Sequence, residues 1–86
     1  MEITTEGELV RLRGELDVCS ARMVDAHEAS VFDVSGVTFM DCAGLGALLR
    51  ARDRAHAHGM TFSLEGVGEP VARVLEVTHL DEALRG

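Results

Sequence analysis

The sequence predicts an α/β fold: a small mixed sheet of four to five strands, with helices packed mainly on one face. Two observations carry this. Segments with period-two apolar spacing alternate with segments of helical period, and strand–helix–strand units bring their strands together in parallel. The 86 residues are 47% hydrophobic and include one proline, which suits one core of two packed layers and is too apolar for disorder. The chain reads as a single domain over residues 1–86, without internal repeat, low-complexity segment or linker.

The elements are taken in chain order. Ile3 to Thr5 is a short β-branched strand, and Glu6-Gly7 is a turn signal. From Glu8 to Leu16 the residues alternate, with Val10, Leu12, Gly14 and Leu16 on one side and Leu9, Arg11, Arg13 and Glu15 on the other. This is a strand with one buried face, joined to the first as a hairpin. Ser20 to Ala29 predicts a short helix capped by Ser20, with Met23, Val24 and His27 on one side. Val31 to Val34 and Val37 to Met40 read as two apolar runs separated by a Ser35-Gly36 turn.

Ala43 to His58 has the clearest helical period, through Leu45, Leu48, Leu49, Arg52 and Ala55, and Gly59 suits its stop. Thr61 to Leu64 is a further strand. Pro70 then sits in the first turn of a helix carrying Val71, Val74 and Leu75. Thr78 to Asp81 has capping-box spacing, which predicts a last helical turn pinned by Leu80, Ala83 and Leu84.

Charge excludes several functions. Fifteen acidic residues face eight basic ones, all Arg, for a net charge of -7. A basic nucleic-acid surface is absent, and with neither Trp nor Tyr there is no stacking platform for bases. No apolar run approaches the roughly 20 residues of a membrane-spanning helix. The acidic start, with Glu2, Glu6 and Glu8, does not resemble a signal peptide. With two cysteines at no zinc-motif spacing, the expectation is free thiols in a reducing cytoplasm.

Enzyme motifs are largely missing. Gly44-Leu45-Gly46 opens a helix after a strand, as a phosphate cradle does. Leu49 stands where a dinucleotide fingerprint has its third glycine, and no lysine supplies a P-loop. Small residues that let a helix start pack close to the sheet explain the pair more simply. His56 and His58 are two apart and fall on different sides of a helix. No acid, base and nucleophile converge, and nothing implies a cofactor or a metal.

The end of the Val37–Met40 run is more informative. Asp41-Cys42-Ala43-Gly44 lies where a strand gives way to the strongest helix. In a parallel sheet such strand ends share one edge, where partners gather, and Asp17 at the end of the second strand belongs to the same edge. Asp41 as a plain helix cap is the simpler alternative.

Gly14-Glu15-Leu16-Asp17, Phe32 to Asp41, Gly44 to Leu49, and Pro70 to Leu84 together resemble a STAS domain, most like the bacterial anti-sigma factor antagonists. The resemblance covers nearly the whole chain. It implies binding to an anti-sigma factor of the histidine-kinase-like ATPase type, which frees a sigma factor to activate transcription. It also implies a switch, in which the kinase phosphorylates a serine or threonine directly after the motif aspartate. The added charge and bulk then block docking.

Here that position is Cys42, followed by Ala43, and neither accepts phosphate from such a kinase. The usual switch is therefore expected to be absent. Thr38 and Ser35 remain as less accessible hydroxyls. The helix after Asp17 is also shorter than the resemblance implies. The expected partner surface comprises Asp17, Asp41, Cys42, Ala43, Gly44, Gly46, Ala47 and Arg50, with Arg54 extending it along the exposed side of the helix. A thiol at a helix N-terminus is more reactive than a free one, so Cys19 and Cys42 form a candidate redox pair. A STAS subunit of a transporter or signalling scaffold, acting purely through protein binding, is the alternative function. A small-molecule sensor is a weaker one. The expected state is a monomer, or a weak dimer through the first strand edge.

Overall fold

Period-two burial places the second strand against the core. Val10, Leu12 and Leu16 are buried, and Arg11, Arg13 and Glu15 on the other side are exposed. The structure is a computed structural model that describes residues 1–80 and Leu84. Among these the elements are β1 (Glu2–Glu6), β2 (Leu9–Leu16), α1 (Val18–Asp25), β3 (Val31–Met40), α2 (Cys42–Ala57), β4 (Ser63–Glu65) and α3 (Glu69–Thr78).

The four strands form one sheet in the order β1-β2-β3-β4. β1 is antiparallel to β2, and β2, β3 and β4 run parallel. The hairpin loop is Gly7-Glu8, one residue later than the turn signal implied, with Gly7 at φ 57°. Leu45, Leu48, Val71 and Leu75 bring α2 and α3 into the same buried cluster as Phe32, Val34 and Leu64. Phe32 meets Phe62 at 5.8 Å between ring centroids, a tilted packing that aromatic quadrupoles favour.

The Ser35-Gly36 turn is not a chain reversal. Val31 to Met40 is one strand carrying two bulges: Arg11 pairs with Asp33 but Arg13 with Gly36, and Gly14 pairs with Val37 but Glu15 with Phe39. Each shift leaves one extra residue on β3. The Asp33 side chain accepts from the Ser35 amide at 2.9 Å, a local turn embedded in a strand. That bond is the main cause holding the Asp33 carboxyl below its ordinary value. The bulges break the alternation, so the buried residues are Phe32, Val34, Val37 and Met40.

Two helix boundaries also differ from expectation. α1 is capped by Asp17, not Ser20, and its buried side is Ser20, Ala21 and Val24, with Met23 exposed. Thr78 is the last residue of α3 rather than the cap of a further helical turn. Its hydroxyl donates back to the Val74 carbonyl at 2.7 Å, and His79 closes the helix in the left-handed region at φ 59°. The Asp81 and Ala83 parts of the expected capping box and last turn lie outside the described residues. Leu84 is buried in the core, as expected from its spacing.

Candidate functional site

Parallel pairing of β2 with β3 sets Leu16 beside Met40, so Asp17 and Asp41 leave the sheet at the same edge. The Asp41 amide donates to the Leu16 carbonyl at 3.3 Å, tying the two exits together. Each aspartate then opens a helix. Asp17 Oδ1 accepts from the Cys19 and Ser20 amides at 3.0 and 3.2 Å, and its own amide donates to Ser20 Oγ at 2.9 Å. This reciprocal box explains how a helix as short as α1 holds its first turn. Asp41 Oδ1 accepts from the Gly44 amide at 3.0 Å.

Both aspartates are therefore caps as well as edge residues. Asp41→Ala is expected to cost about 1 kcal/mol of stability, and Asp41→Asn or Asp41→Ser much less, since these side chains also cap well. Thermal unfolding of the three variants checks this.

Cys42 is the first residue of α2 and is exposed. It shares a concavity of about 250 Å³ with Val74 and Val77 of α3. A group at this position therefore stands in the open beside an apolar wall. Cys19 is also exposed and free, and it lines a different concavity with Met1, Met23 and Thr38. The two thiols share the edge but not a concavity, and no disulfide joins them.

The exposed side assigned to α2 needs correction. Ala47 is fully buried, Gly44 is buried, and Ala43 and Gly46 are half-buried. A Cβ on Gly44 would overlap the Leu16 carbonyl, so this glycine lets α2 start hard against the sheet. Arg50 is exposed but engaged, donating through Nε and Nη2 to both carboxylate oxygens of Asp25 at 3.0 Å. Arg54 approaches Asp25 at 3.5 Å and donates to the His27 carbonyl at 3.1 Å. Arg50 and Arg54 thus belong to the contact between α1 and α2, Gly44 to the contact with β2, and Cys42 on the first turn stays exposed and unpaired with either.

The Arg50 hydrogen bonds hold the Asp25 carboxyl below its ordinary value of 3.8. The stabilisation from this pair is therefore complete above that value and is lost as pH falls through the lowered one.

Sequence reasoning missed two features. The Asp25–Arg50–Arg54 cluster joins positions far apart in the chain, and only the four-residue spacing of the arginines hinted at it. The exposure of Phe39 and Val77 was hidden by the misread bulges and by the apolar look of α3. Among the described residues, no group of His, Cys, Asp and Glu is arranged to hold a metal, and no helix is long and apolar enough to cross a membrane.

Comparison with solved structures places this arrangement among known folds. A candidate anti-sigma factor antagonist from Thermotoga maritima superposes with a TM-score of 0.78 at 22% identity, covering 98% of this chain and 82% of that one. A sulfate transporter family protein from Wolinella succinogenes gives 0.74 at 24% identity, over 90% and 70% of the two chains. The anti-sigma factor antagonist SpoIIAA in its unphosphorylated form gives 0.68 at 17%, over 95% and 96%. At these identities the likeness speaks for the fold. The family model for the STAS domain matches residues 1–85, and the chain belongs to the STAS domain family.

Proposed function

We propose that this chain is an anti-sigma factor antagonist that binds a kinase-type anti-sigma factor, of the histidine-kinase-like ATPase class, and thereby frees a sigma factor, and that it does so without the serine switch. The observation that carries the reading is the position of Cys42. It stands exposed on the first turn of α2, directly after the capping Asp41 and against Val74 and Val77. A phosphate here would have to be desolvated against an apolar wall when a partner closes over it, which is unfavourable for docking. A thiol offers no such control, so binding is expected to be constitutive. The free volume and free first turn at Cys42 support contact there, whereas Ala47 is buried and Arg50 is held by Asp25 of α1.

The test is affinity capture from native extract with the wild-type chain and with Cys42→Glu. A glutamate at the first position of a helix is favoured by the dipole, so the variant is expected to keep its fold while carrying a charge at the contact. Recovery of an ATPase-type anti-sigma factor with the wild type, and its loss with Cys42→Glu, is the expected result. Recovery of permease or scaffold subunits in its place would replace the antagonist reading with the transporter or scaffold one.

A further inference from the structure

Beside Cys42 lies a groove whose floor is apolar. Val74 and Arg73 line two concavities, one of about 250 Å³ reaching Cys42 and Val77 and one of about 390 Å³ reaching Phe39 and Pro70. The shared residues make the two a single trough along α3. The second β3 bulge leaves Phe39 outside the core with 48% of its surface exposed, and Val77 is 75% exposed. Pro70, Val74 and Val77 fall on one stripe of α3, beside the buried stripe of Val71 and Leu75. That stripe runs for about 10 Å, or two helical turns, from half-buried Pro70 and Val74 to exposed Val77.

The rim carries the charge. Glu15 is the cross-strand neighbour of Phe39, and Asp41 and Glu69 border the trough. Arg73 and Glu69 pair at 2.7 Å and offset each other, so the sign of the rim is set by Asp41 beside Cys42 and by Glu15 beside Phe39. An apolar floor with an acidic rim, on a chain of net charge -7, is complementary to a helix with an apolar stripe flanked by Arg or Lys. A second copy of this chain would bring the same acidic rim and be repelled.

Resting on the antagonist reading, we infer that the Phe39–Val74–Val77 trough receives a cationic amphipathic helix of the anti-sigma factor, with Cys42 at one end of the contact. Floor and rim then act differently: a charge added at Cys42 must be desolvated, whereas the rim acids steer the partner from solvent.

The experiment uses the anti-sigma factor captured by the wild-type chain, purified and titrated with wild type, Phe39→Ser, Val77→Ser, Cys42→Glu and the control Met23→Ser. Met23 is also exposed but lines a different concavity. Phe39→Ser and Val77→Ser are each expected to weaken binding about tenfold or more, with Met23→Ser unchanged. Raising salt from about 0.05 to 0.5 M is expected to slow association. Thermal unfolding measured alongside identifies any variant whose loss comes from misfolding.

If Phe39→Ser and Val77→Ser bind as wild type while Cys42→Glu does not, the trough is not the docking site and the antagonist reading stands. If sedimentation shows a dimer of this chain that Val77→Ser abolishes, the occupant is a second copy and the inference is overturned. If the wild type binds no anti-sigma factor, the underlying reading falls and the inference with it.

Discussion

Gly44→Val is expected to lower stability by about 3 kcal/mol or more, while Gly46→Ala two residues on is expected to be neutral or stabilising. Gly44 lies in the first turn of α2, and the space its missing side chain would take is occupied by β2. A Cβ there would overlap the Leu16 carbonyl and lie 2.8 Å from Leu16 Cγ. The carbonyl cannot give way easily, because it belongs to a strand end and accepts from the Asp41 amide. Relief therefore requires moving the start of α2 off the sheet, which loosens Leu45 and Leu48 in the core.

Overpacking typically costs about 1–3 kcal/mol when side chains can adjust, and a clash with backbone sits at or above that limit. A chain of this length has only about 4–13 kcal/mol in total. At Gly46 the added Cβ meets only Arg50 Nη1, at 3.3 Å. That is the far end of a flexible side chain, and alanine gains about 1 kcal/mol in helix propensity. Urea unfolding of the two variants makes the comparison directly. Equal losses at both positions would mean that the close approach at Leu16 is not what constrains α2.

On the proposed antagonist function, Cys42→Ser is expected to create a phosphorylation switch. The substitution exchanges one exposed small side chain for another at the first turn of α2, so stability should hardly change. The introduced hydroxyl would take the position to which the resemblance to anti-sigma factor antagonists assigns the phosphate. With the ATPase-type anti-sigma factor and ATP present, the variant is expected to gain one phosphate and then lose affinity by about 100-fold. That corresponds to about 2.7 kcal/mol, within reach of a dianion forced against Val74 and Val77. Mass spectrometry locates the phosphate, and titration before and after the reaction measures the loss. A variant that takes up phosphate yet binds as before would place the contact away from Cys42.

Much of the fold was legible because local patterns agreed with packing. Of the alternating set Val10, Leu12, Gly14 and Leu16, all but half-buried Gly14 are buried, and of the helical set Leu45, Leu48, Leu49, Arg52 and Ala55, the face that α2 buries takes Leu45, Leu48 and Ala55 and leaves Leu49 and Arg52 half-buried. The Asp41 cap was legible for the same reason, since a carboxylate before a helix has an immediate local use. β3 was misread because a bulge and a turn share the same signals, Ser-Gly beside an aspartate, and only pairing with β2 distinguishes them.

The candidate site was half legible. Parallel strand ends brought Asp17 and Asp41 together, as expected from topology alone. The side of α2 chosen for a partner was already taken by α1. Alanine and glycine at helical spacing mark close packing without saying whether the neighbour is another helix of the same chain or a different protein. What selected the internal neighbour was Asp25, whose carboxylate gathers Arg50 and Arg54 across the sequence. Phe39 escaped notice because its exposure depends on the bulge that precedes it.

The most direct measurement is a titration of the wild-type chain against the purified ATPase-type anti-sigma factor, with and without ATP, and then mass spectrometry of the chain. Constitutive antagonism predicts tight binding, the same affinity in both conditions, and no phosphate on the chain. An affinity that collapses when ATP is added, with phosphate found on Thr38 or Ser35, would contradict it.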